Sequence, residues 1–362
     1  MKIKNPVYRR FILFLMVLLC FLPLIGNSQD VGSCAEKLKS AQSLFDRGQV
    51  EQVPSMLFDC MKSGFNREES LSAYKLLIQA YIFEEKPELA DSTMLAFLKK
   101  NPEYQISPTD HSSFVNLFNK FIVKPVVQVS LHIGTNVPYL TSINTFTVSG
   151  MPDMPGSSKY SVKAINLFVS LEARFELTKK IELSFEPGFS QLAFSNVKTI
   201  NNLDNITIYK SNTTETQQRI ELPVSVTYNF KKFGKFTPYG RFGFGPALLL
   251  SSTDKVSALP TDINNLIPHT GPDQSRKASR ISTDLFTQIG GGLKFKTKGG
   301  YFLAELRTNL GFLNQTIKGK DLSTEDELNQ FFYNMDDDFH LNAVNFTLGY
   351  TQIFYKPSKR KE

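Results

Sequence analysis

The chain has 362 residues, of which 41% are hydrophobic and 12% aromatic, so it is long enough for two domains and too rich in aromatic side chains for a disordered protein. Three cysteines exclude a disulfide-stapled miniprotein and a multi-cysteine zinc module. The formal net charge is +7, but four of these charges lie in the first ten residues. The remaining balance of about +3 does not indicate nucleic-acid binding.

The amino terminus has the pattern of a secretory signal peptide over residues 1–28. Four basic residues precede a 15-residue run over 11–25 that is apolar apart from Pro23, and the small residues Gly26 and Ser28 follow. An uncleaved anchor is the alternative, although the run is short for a membrane span. Later apolar runs fall short of the ~18 residues that a spanning helix needs, so any further crossing must use strands.

Residues 29–122 are predicted to form a helical domain. Apolar residues recur at helical spacing in four stripes that begin at Leu38, Val53, Leu71 and Ala90. The breaks are short, and two helix pairs offset by roughly 36 residues resemble tetratricopeptide-type hairpins. A fifth helix is predicted from Ser107, with Ser107 as N-cap and Asp110 as the capping-box acid.

Two cysteines lie at adjacent ends of the first predicted hairpin. Cys34 opens the first helix and Cys60 ends the second. An exported protein meets an oxidising compartment, so we expect a Cys34–Cys60 disulfide, with two buried thiols as the alternative. The helices offer a docking surface for a protein partner; alternatively they form a plug or collar on the rest of the chain.

From residue 126 onward the apolar period changes from 3.6 to 2, which indicates strands. Eight amphipathic segments follow: 126–134, 167–177, 181–190, 219–230, 239–248, 284–295, 302–312 and 344–354. They suit either a soluble sandwich or lipocalin-like barrel, with the apolar face inward, or an outer-membrane barrel, with the apolar face toward lipid.

The connections favour the outer-membrane barrel. Short turns at 178–180, 231–235 and 297–300 alternate with connections of about 20 residues or more. The predicted fold class is therefore α+β: a helical-hairpin domain followed by an eight-stranded antiparallel transmembrane β-barrel over 125–356, with a basic tail at 357–362. The turns, the helices and the tail would be periplasmic, and the long loops extracellular.

Charged residues line the predicted lumen face. They are Glu172, Arg174, Glu176, Glu182, Glu186, Arg219, Glu221, Arg241, Lys294, Glu305 and Arg307. Because side chains just fill an eight-stranded barrel, we expect a structural ion-pair network. A narrow gated channel is the alternative.

The chain resembles the PorT-like outer-membrane β-barrel family of Gram-negative bacteria. The resemblance covers about 125–356 and rests on the stretches 219–230, 238–240, 243–246 and 345–355. It implies an eight-stranded barrel in the outer membrane, and one branch of that family is linked to protein secretion across this membrane. The helices at 33–122 depart from the minimal family pattern.

The sequence has no nucleophile-elbow, P-loop or Rossmann motif in a suitable context. The four histidines lack metal-ligand spacing, and no cofactor, metal or catalytic residue is predicted. His269 with Ser275, Ser279 and Asp273 nearby is the only candidate triad, and a solvated loop is the preferred interpretation. The acidic triplet 336–338 is interpreted as a solvated loop end rather than a Ca²⁺ site.

Aromatic side chains are expected to form a girdle at the periplasmic rim. They are Tyr228, Phe230, Phe233, Phe236, Tyr301, Phe302, Phe354 and Tyr355.

The leading hypothesis is a non-enzymatic outer-membrane barrel with a structural or accessory role in envelope assembly or protein secretion. Its expected partners are outer-membrane lipid, a periplasmic or outer-membrane protein docked through 33–122, and the barrel-insertion machinery, which would read the aromatic closing strand. A small-solute channel and an outer-membrane lipid-modifying enzyme are the alternatives.

Overall fold

A computed structural model describes residues 31–146, 156–162, 166–201, 207–260, 269–317 and 336–360. The chain divides into two compact units, Met1–Ile122 with Pro357–Glu362, and Val123–Lys356. The predicted signal peptide lies outside the described residues. Within the described ranges, no helix combines the length and the apolar character needed to cross a membrane.

The first unit is helical. Its helices are α1 (Val31–Asp46), α2 (Val53–Lys62), α3 (Arg67–Phe83), α4 (Pro87–Lys100) and α5 (Ser112–Phe118). Ala41 and Leu44 of α1 pack with Val53 and Leu57 of α2 and with Leu76 of α3 in one buried cluster. The apolar stripes of the sequence therefore supply the core of this unit.

α5 begins at Ser112 with His111 as its N-cap, so the prediction of a start at Ser107 is wrong. Asp110 does not cap the helix. Its carboxylate instead accepts hydrogen bonds from the Ser107 amide at 2.7 Å and from Lys75 Nζ of α3 at 2.5 Å. The Asp110 carboxylate is thus occupied by Lys75 and by the Ser107 amide. Residues 107–110 therefore form a separate turn before α5.

A disulfide joins α1 to the end of α2. Cys34 and Cys60 are bonded, with their Cα atoms 5.7 Å apart and a sequence separation of 26. Both side chains are buried. The bond closes the first helix pair covalently.

The second unit is built from strands. They are β1 (Phe121–Asn144), β2 (Gly156–Val162), β3 (Asn166–Glu176), β4 (Ile181–Phe185), β5 (Gly188–Asn201), β6 (Thr207–Glu221), β7 (Val224–Asn229), β8 (Phe236–Pro260), β9 (His269–Thr270), β10 (Gln274–Ser275), β11 (Thr283–Thr297), β12 (Gly300–Gly311) and β13 (Asp338–Lys359). The ends of β1 and β13 that lie outside Val123–Lys356 belong to the first unit.

The sheet closes on itself. Pairing runs from β11 through β12, β13, β1, β3, β4 and β7 to β8, and β8 pairs in turn with β11. Short turns connect β3 to β4, β7 to β8 and β11 to β12. A closed sheet has no unpaired edge strand, so the second unit is a barrel.

Two prolines break predicted strands. Pro187 separates β4 from β5, and Pro223 separates β6 from β7, because proline has no amide hydrogen to donate to the ladder. The breaks lie side by side, since the Glu186 amide donates to the Pro223 carbonyl at 3.1 Å. On the side of the β3–β4 turn, β4 pairs with β7. On the opposite side of the breaks, β5 pairs with β6.

Several connections that were predicted to be loops are largely β-strand in the structure. β5, β6 and β8 continue well past their predicted ends, and β6 pairs with β8 as far as Tyr209 and Pro260. Leu192 and Phe194 of β5 pack there with Phe339 and Leu341 of β13 in a separate buried cluster. These strands form an extension of the barrel with its own small core.

The closed sheet is inverted relative to a water-soluble barrel. Its outward side chains are apolar and exposed, as Phe242 (58%), Leu306 (57%) and Leu348 (55%) show. Its inward side chains are polar and buried, including Glu172 and Arg307. Water would not stabilise this arrangement, whereas a lipid bilayer around the barrel does.

We predict that replacing both Cys34 and Cys60 by serine destabilises the helical unit. A disulfide that closes a loop of this length contributes about 3 to 4 kcal/mol, so helical ellipticity at 222 nm should be lost at a lower temperature. Reductant should lower this temperature for the natural protein and leave the double variant unchanged. Equal melting of the natural protein with and without reductant would contradict the prediction.

Candidate functional site: the buried charge network of the lumen

Acidic and basic side chains meet in balanced number inside the barrel. Four carboxylates, Glu172, Glu182, Glu186 and Glu305, face four cations, Arg174, Arg241, Lys294 and Arg307. All eight are buried. Equal numbers of opposite charges make the burial tolerable, because an unpaired charge here would cost several kcal/mol.

Arg241 of β8 lies at the centre of the network. Its Nη1 lies 2.7 Å from Glu186 Oε2 and 3.2 Å from Glu305 Oε1, and its Nη2 contacts Glu172. One guanidinium group thus joins β3, the β4–β5 junction and β12. The planar fork of arginine suits this, since its donors point in several fixed directions.

Arg307 of β12 makes a two-pronged pair with Glu186. The two Nη atoms lie 2.8 and 3.0 Å from the two carboxylate oxygens. The guanidinium group also stacks over the Phe168 ring, 4.6 Å from its centroid. A bidentate pair fixes the relative orientation of the two side chains as well as their separation.

The remaining two cations hold the end of the network near the short turns. Arg174 Nη2 lies 2.7 Å from Glu172, and Lys294 Nζ lies 2.6 Å from Glu182. Arg174 also donates to the Tyr301 hydroxyl at 2.8 Å, and that hydroxyl donates to Gln128 at 2.7 Å. The pairs and the neutral groups together fill this level of the lumen.

Three predicted lumen residues lie outside this cluster. Arg219 and Glu221 are buried in the next layer toward the extension, where Arg219 pairs with Asp284 at 3.5 Å and Glu221 accepts from Asn309 at 3.0 Å. Glu176, at the end of β3, is exposed. It is the last residue of β3, so the barrel wall no longer encloses it there.

Sequence reasoning missed three members of the network. His132 Nε2 lies 3.0 Å from Glu172, and Tyr239 donates to Glu305 at 2.6 Å. Tyr301 was expected at the lipid-facing rim and is instead 5% exposed inside the barrel. The signal was present in the alternation, because each of the three follows the inward parity of its strand.

A second charge cluster lies in the extension and involves the acidic triplet. Arg280 Nη1 lies 2.9 Å from Asp336, and Arg280 Nη2 lies 2.6 Å from Glu215. Asp337 accepts from Lys198 at 2.8 Å. The prediction that 336–338 is a solvated loop end is therefore wrong, because the lengthened strands enclose all three aspartates.

These pairs lower the pKa of the Asp336 and Asp337 carboxyls and so keep both ionised. Burial raises the pKa of the Asp336 carboxyl, but Arg280 and Arg276 outweigh it and hold that pKa below its usual value. The cavity among these residues has a volume of about 20 Å³, which is room for about one water molecule. Across the part of the chain that the structure describes, no group of His, Cys, Asp and Glu is arranged to hold a metal ion.

The candidate triad is not assembled by the described side chains. His269 opens β9, but its side chain lies outside the described residues. Asp273 lies 3.8 Å from Lys255 Nζ, and Ser275 pairs with Thr253 in the ladder. These contacts are structural.

The sequence of the barrel matches a known family. Residues 124–316, more than half of the chain, fit the family model described as the outer membrane protein beta-barrel domain. The chain belongs to this family. Its place is therefore the outer membrane, in agreement with the lipid-suited outer face of the barrel. A search of curated proteins finds no match.

Solved outer-membrane barrels are similar in fold at low identity. Neisserial surface protein A shares 12% identity at a TM-score of 0.28, over 63% of this chain and 97% of that one. A major outer membrane protein from Thermus thermophilus shares 11% at 0.31, over 63% and 100%. OprG from Pseudomonas aeruginosa shares 9% at 0.24, over 65% and 98%.

We predict that Arg241→Met destabilises the barrel by about 3 to 5 kcal/mol, because it leaves three buried carboxylates without their shared partner. Urea unfolding in detergent, followed by the β-sheet circular dichroism signal, measures this. Glu176→Gln is the control and should change the free energy of unfolding by less than about 0.5 kcal/mol. Equal stability of the two variants would show that Arg241 is dispensable.

Proposed function

We propose that this protein is a sealed outer-membrane anchor whose helical unit docks a protein partner in envelope assembly or protein secretion. The carrying observation is the lumen. Charged pairs fill it at one level, and the Phe194 and Phe339 rings, 5.7 Å apart, pack in the extension. A barrel filled with paired side chains is suited to anchoring rather than to conduction.

An eight-stranded barrel is the architecture that best fits the pairing. β4 with β5 and β6 with β7 each count as one strand interrupted by a proline. The closed ring of pairings then contains eight strands. This number supports the PorT-like assignment, and it also supports a lumen just wide enough for side chains.

The sidedness we propose follows from loop length. Short turns in outer-membrane barrels face the periplasm and long connections face outward. The three short turns lie at the end of the barrel opposite the extension of β5, β6 and β8. The helical unit would then be periplasmic, since its last helix, α5, ends at Phe118 just before the periplasmic end of β1.

The helical unit has the spacing of a tetratricopeptide-type array. α1 and α3 begin 36 residues apart, and α2 and α4 begin 34 residues apart, close to the repeat length of that class. Phe58 of α2 is 61% exposed and Leu89 of α4 is 45% exposed. Exposed large apolar side chains on a helical array favour protein docking. We propose no catalytic role.

The sealed lumen predicts that the full-length protein does not conduct ions. Planar-bilayer recordings should show no channel events, because moving an ion through the network would separate buried charge pairs. A general porin inserted into the same lipid is the control for reconstitution. Reproducible unitary conductance would contradict the anchor function and favour a channel.

If the helical unit docks a partner, the exposed aromatic side chain of Phe58 should contribute to partner binding. Tagged full-length protein purified from outer membranes in mild detergent should bring down a stoichiometric partner, and Phe58→Ser should reduce its recovery about tenfold, the scale of losing one buried aromatic anchor. Asp59→Asn, an exposed neighbour on the same helix, should leave recovery unchanged. Absence of a partner, or equal recovery from both variants, would refute docking through this face.

A further inference from the structure

The outer face of the extension carries a polar groove directly beyond the apolar band of the barrel. On β8 the outward residues are apolar up to Leu248 and Leu250, and polar from Ser251 onward. The change falls at a β-bulge, since Arg219 pairs with Leu249 whereas Gln218 pairs with Ser251. The lipid-facing surface therefore continues into the groove without a gap.

Facing residues of β6 and β8 form the floor of the groove. The cross-strand pairs are Gln218 with Ser251, Thr216 with Thr253, Thr214 with Lys255 and Asn212 with Ser257. Thr270 and Asp273, from the segment that pairs along the other edge of β8, also line the groove. The groove has a volume of about 520 Å³, which is in the range of small-ligand sites.

The lining leaves hydrogen-bonding capacity unused. Asn212 Oδ1 is buried and has no hydrogen-bond partner among the described residues. Thr216 and Thr253 are direct cross-strand partners, and neither hydroxyl has a side-chain hydrogen bond within the described part of the chain. A buried amide oxygen without a partner is costly unless a ligand or water satisfies it.

The charge of the groove points to a neutral ligand. Lys255 and Asp273 pair at 3.8 Å and cancel. The Asp254 carboxylate, which also lines the groove, pairs with Arg276 at 3.5 Å, and the other lining groups are hydroxyls and amides. Such groups both donate and accept, as sugar hydroxyls do. Neither a phosphate nor a metal ion would find a matching excess of charge here.

The height of the groove sets the minimum size of the headgroup that a lipid-borne ligand would need to fill it. Its floor runs along β8 from Ser251 to Ser257, six steps or roughly 20 Å at 3.3 Å per residue, which is about 15 Å of height at the usual strand tilt. The headgroup layer is only roughly 5 to 7 Å thick. An occupant anchored in the bilayer must therefore extend beyond an ordinary headgroup.

We propose that this groove binds the saccharide headgroup of a glycolipid in the outer leaflet around the barrel. The inference rests on the sidedness given under the proposed function. Thr216, Thr253 and Asn212 hydrogen-bond the sugar, while Leu248 and Leu250 contact the acyl chains of the same lipid.

The test compares lipopolysaccharide with a complete core oligosaccharide and lipopolysaccharide truncated to its innermost sugars. Full-length protein in phosphatidylcholine nanodiscs is used, because maltoside and glucoside detergents would compete for a sugar site. Binding is measured by native mass spectrometry. We expect the complete form to bind about tenfold more tightly, the scale of two to three net hydrogen bonds.

Thr216→Val with Thr253→Val should abolish this preference, because valine keeps the β-branched shape and removes both hydroxyls. Thr287→Val with Thr308→Val is the matched control. It makes the same change at outward positions of β11 and β12 within the apolar band and should keep the preference. Absence of a preference in the natural protein, or an unchanged preference in the groove variant, would overturn the proposal.

A separate measurement isolates the sidedness. Lys255→Cys should react with a membrane-impermeant maleimide on intact cells, because Lys255 is exposed in the extension. Failure to label would overturn the sidedness within the proposed function, and with it the glycolipid site. Labelling without a saccharide preference would overturn the glycolipid site alone.

Discussion

A charge inside a barrel is stable only when an opposite charge lies at hydrogen-bond distance, and the lumen of this protein depends on that condition. Arg241 and Glu186 satisfy it for groups contributed by β3, β8 and β12. The same pairs select the strand register. Slipping one strand by a single residue would turn its charges toward lipid and its apolar side chains into the network.

Much of the barrel could be predicted from alternation, because lipid on one side and paired charges on the other give the strands a clear period of two. The face of Arg174, Arg241 and Arg307 was read correctly from this pattern. The partners of each charge could not be read, since they lie on strands distant in sequence. Tyr301 was misplaced because aromatic side chains suit both a rim and a lumen, and only its parity separates the two.

The extension was hidden for a different physical reason. Where water replaces lipid, outward residues such as Thr214 and Thr253 lose the apolar character that marks a membrane strand, so the segments resemble loops. Asp336 and Asp337 were misread for the same reason. An acidic triplet beside an unrecognised strand has no visible counter-ion, although Arg280 and Lys198 supply one across the extension.

The adjacent breaks at Pro187 and Pro223 interrupt two neighbouring strands of the barrel wall, whereas β8 runs unbroken from Phe236 to Pro260. A strand interrupted by proline does not transmit its twist and register rigidly to the segment beyond it. The part of the barrel on the side of the short turns is held by the lumen pairs. The extension is held by its own strand ladder and its own small core. The two parts can therefore be substituted independently, because changes in the core of the extension leave the lumen pairs, and with them the closure of the barrel, in place.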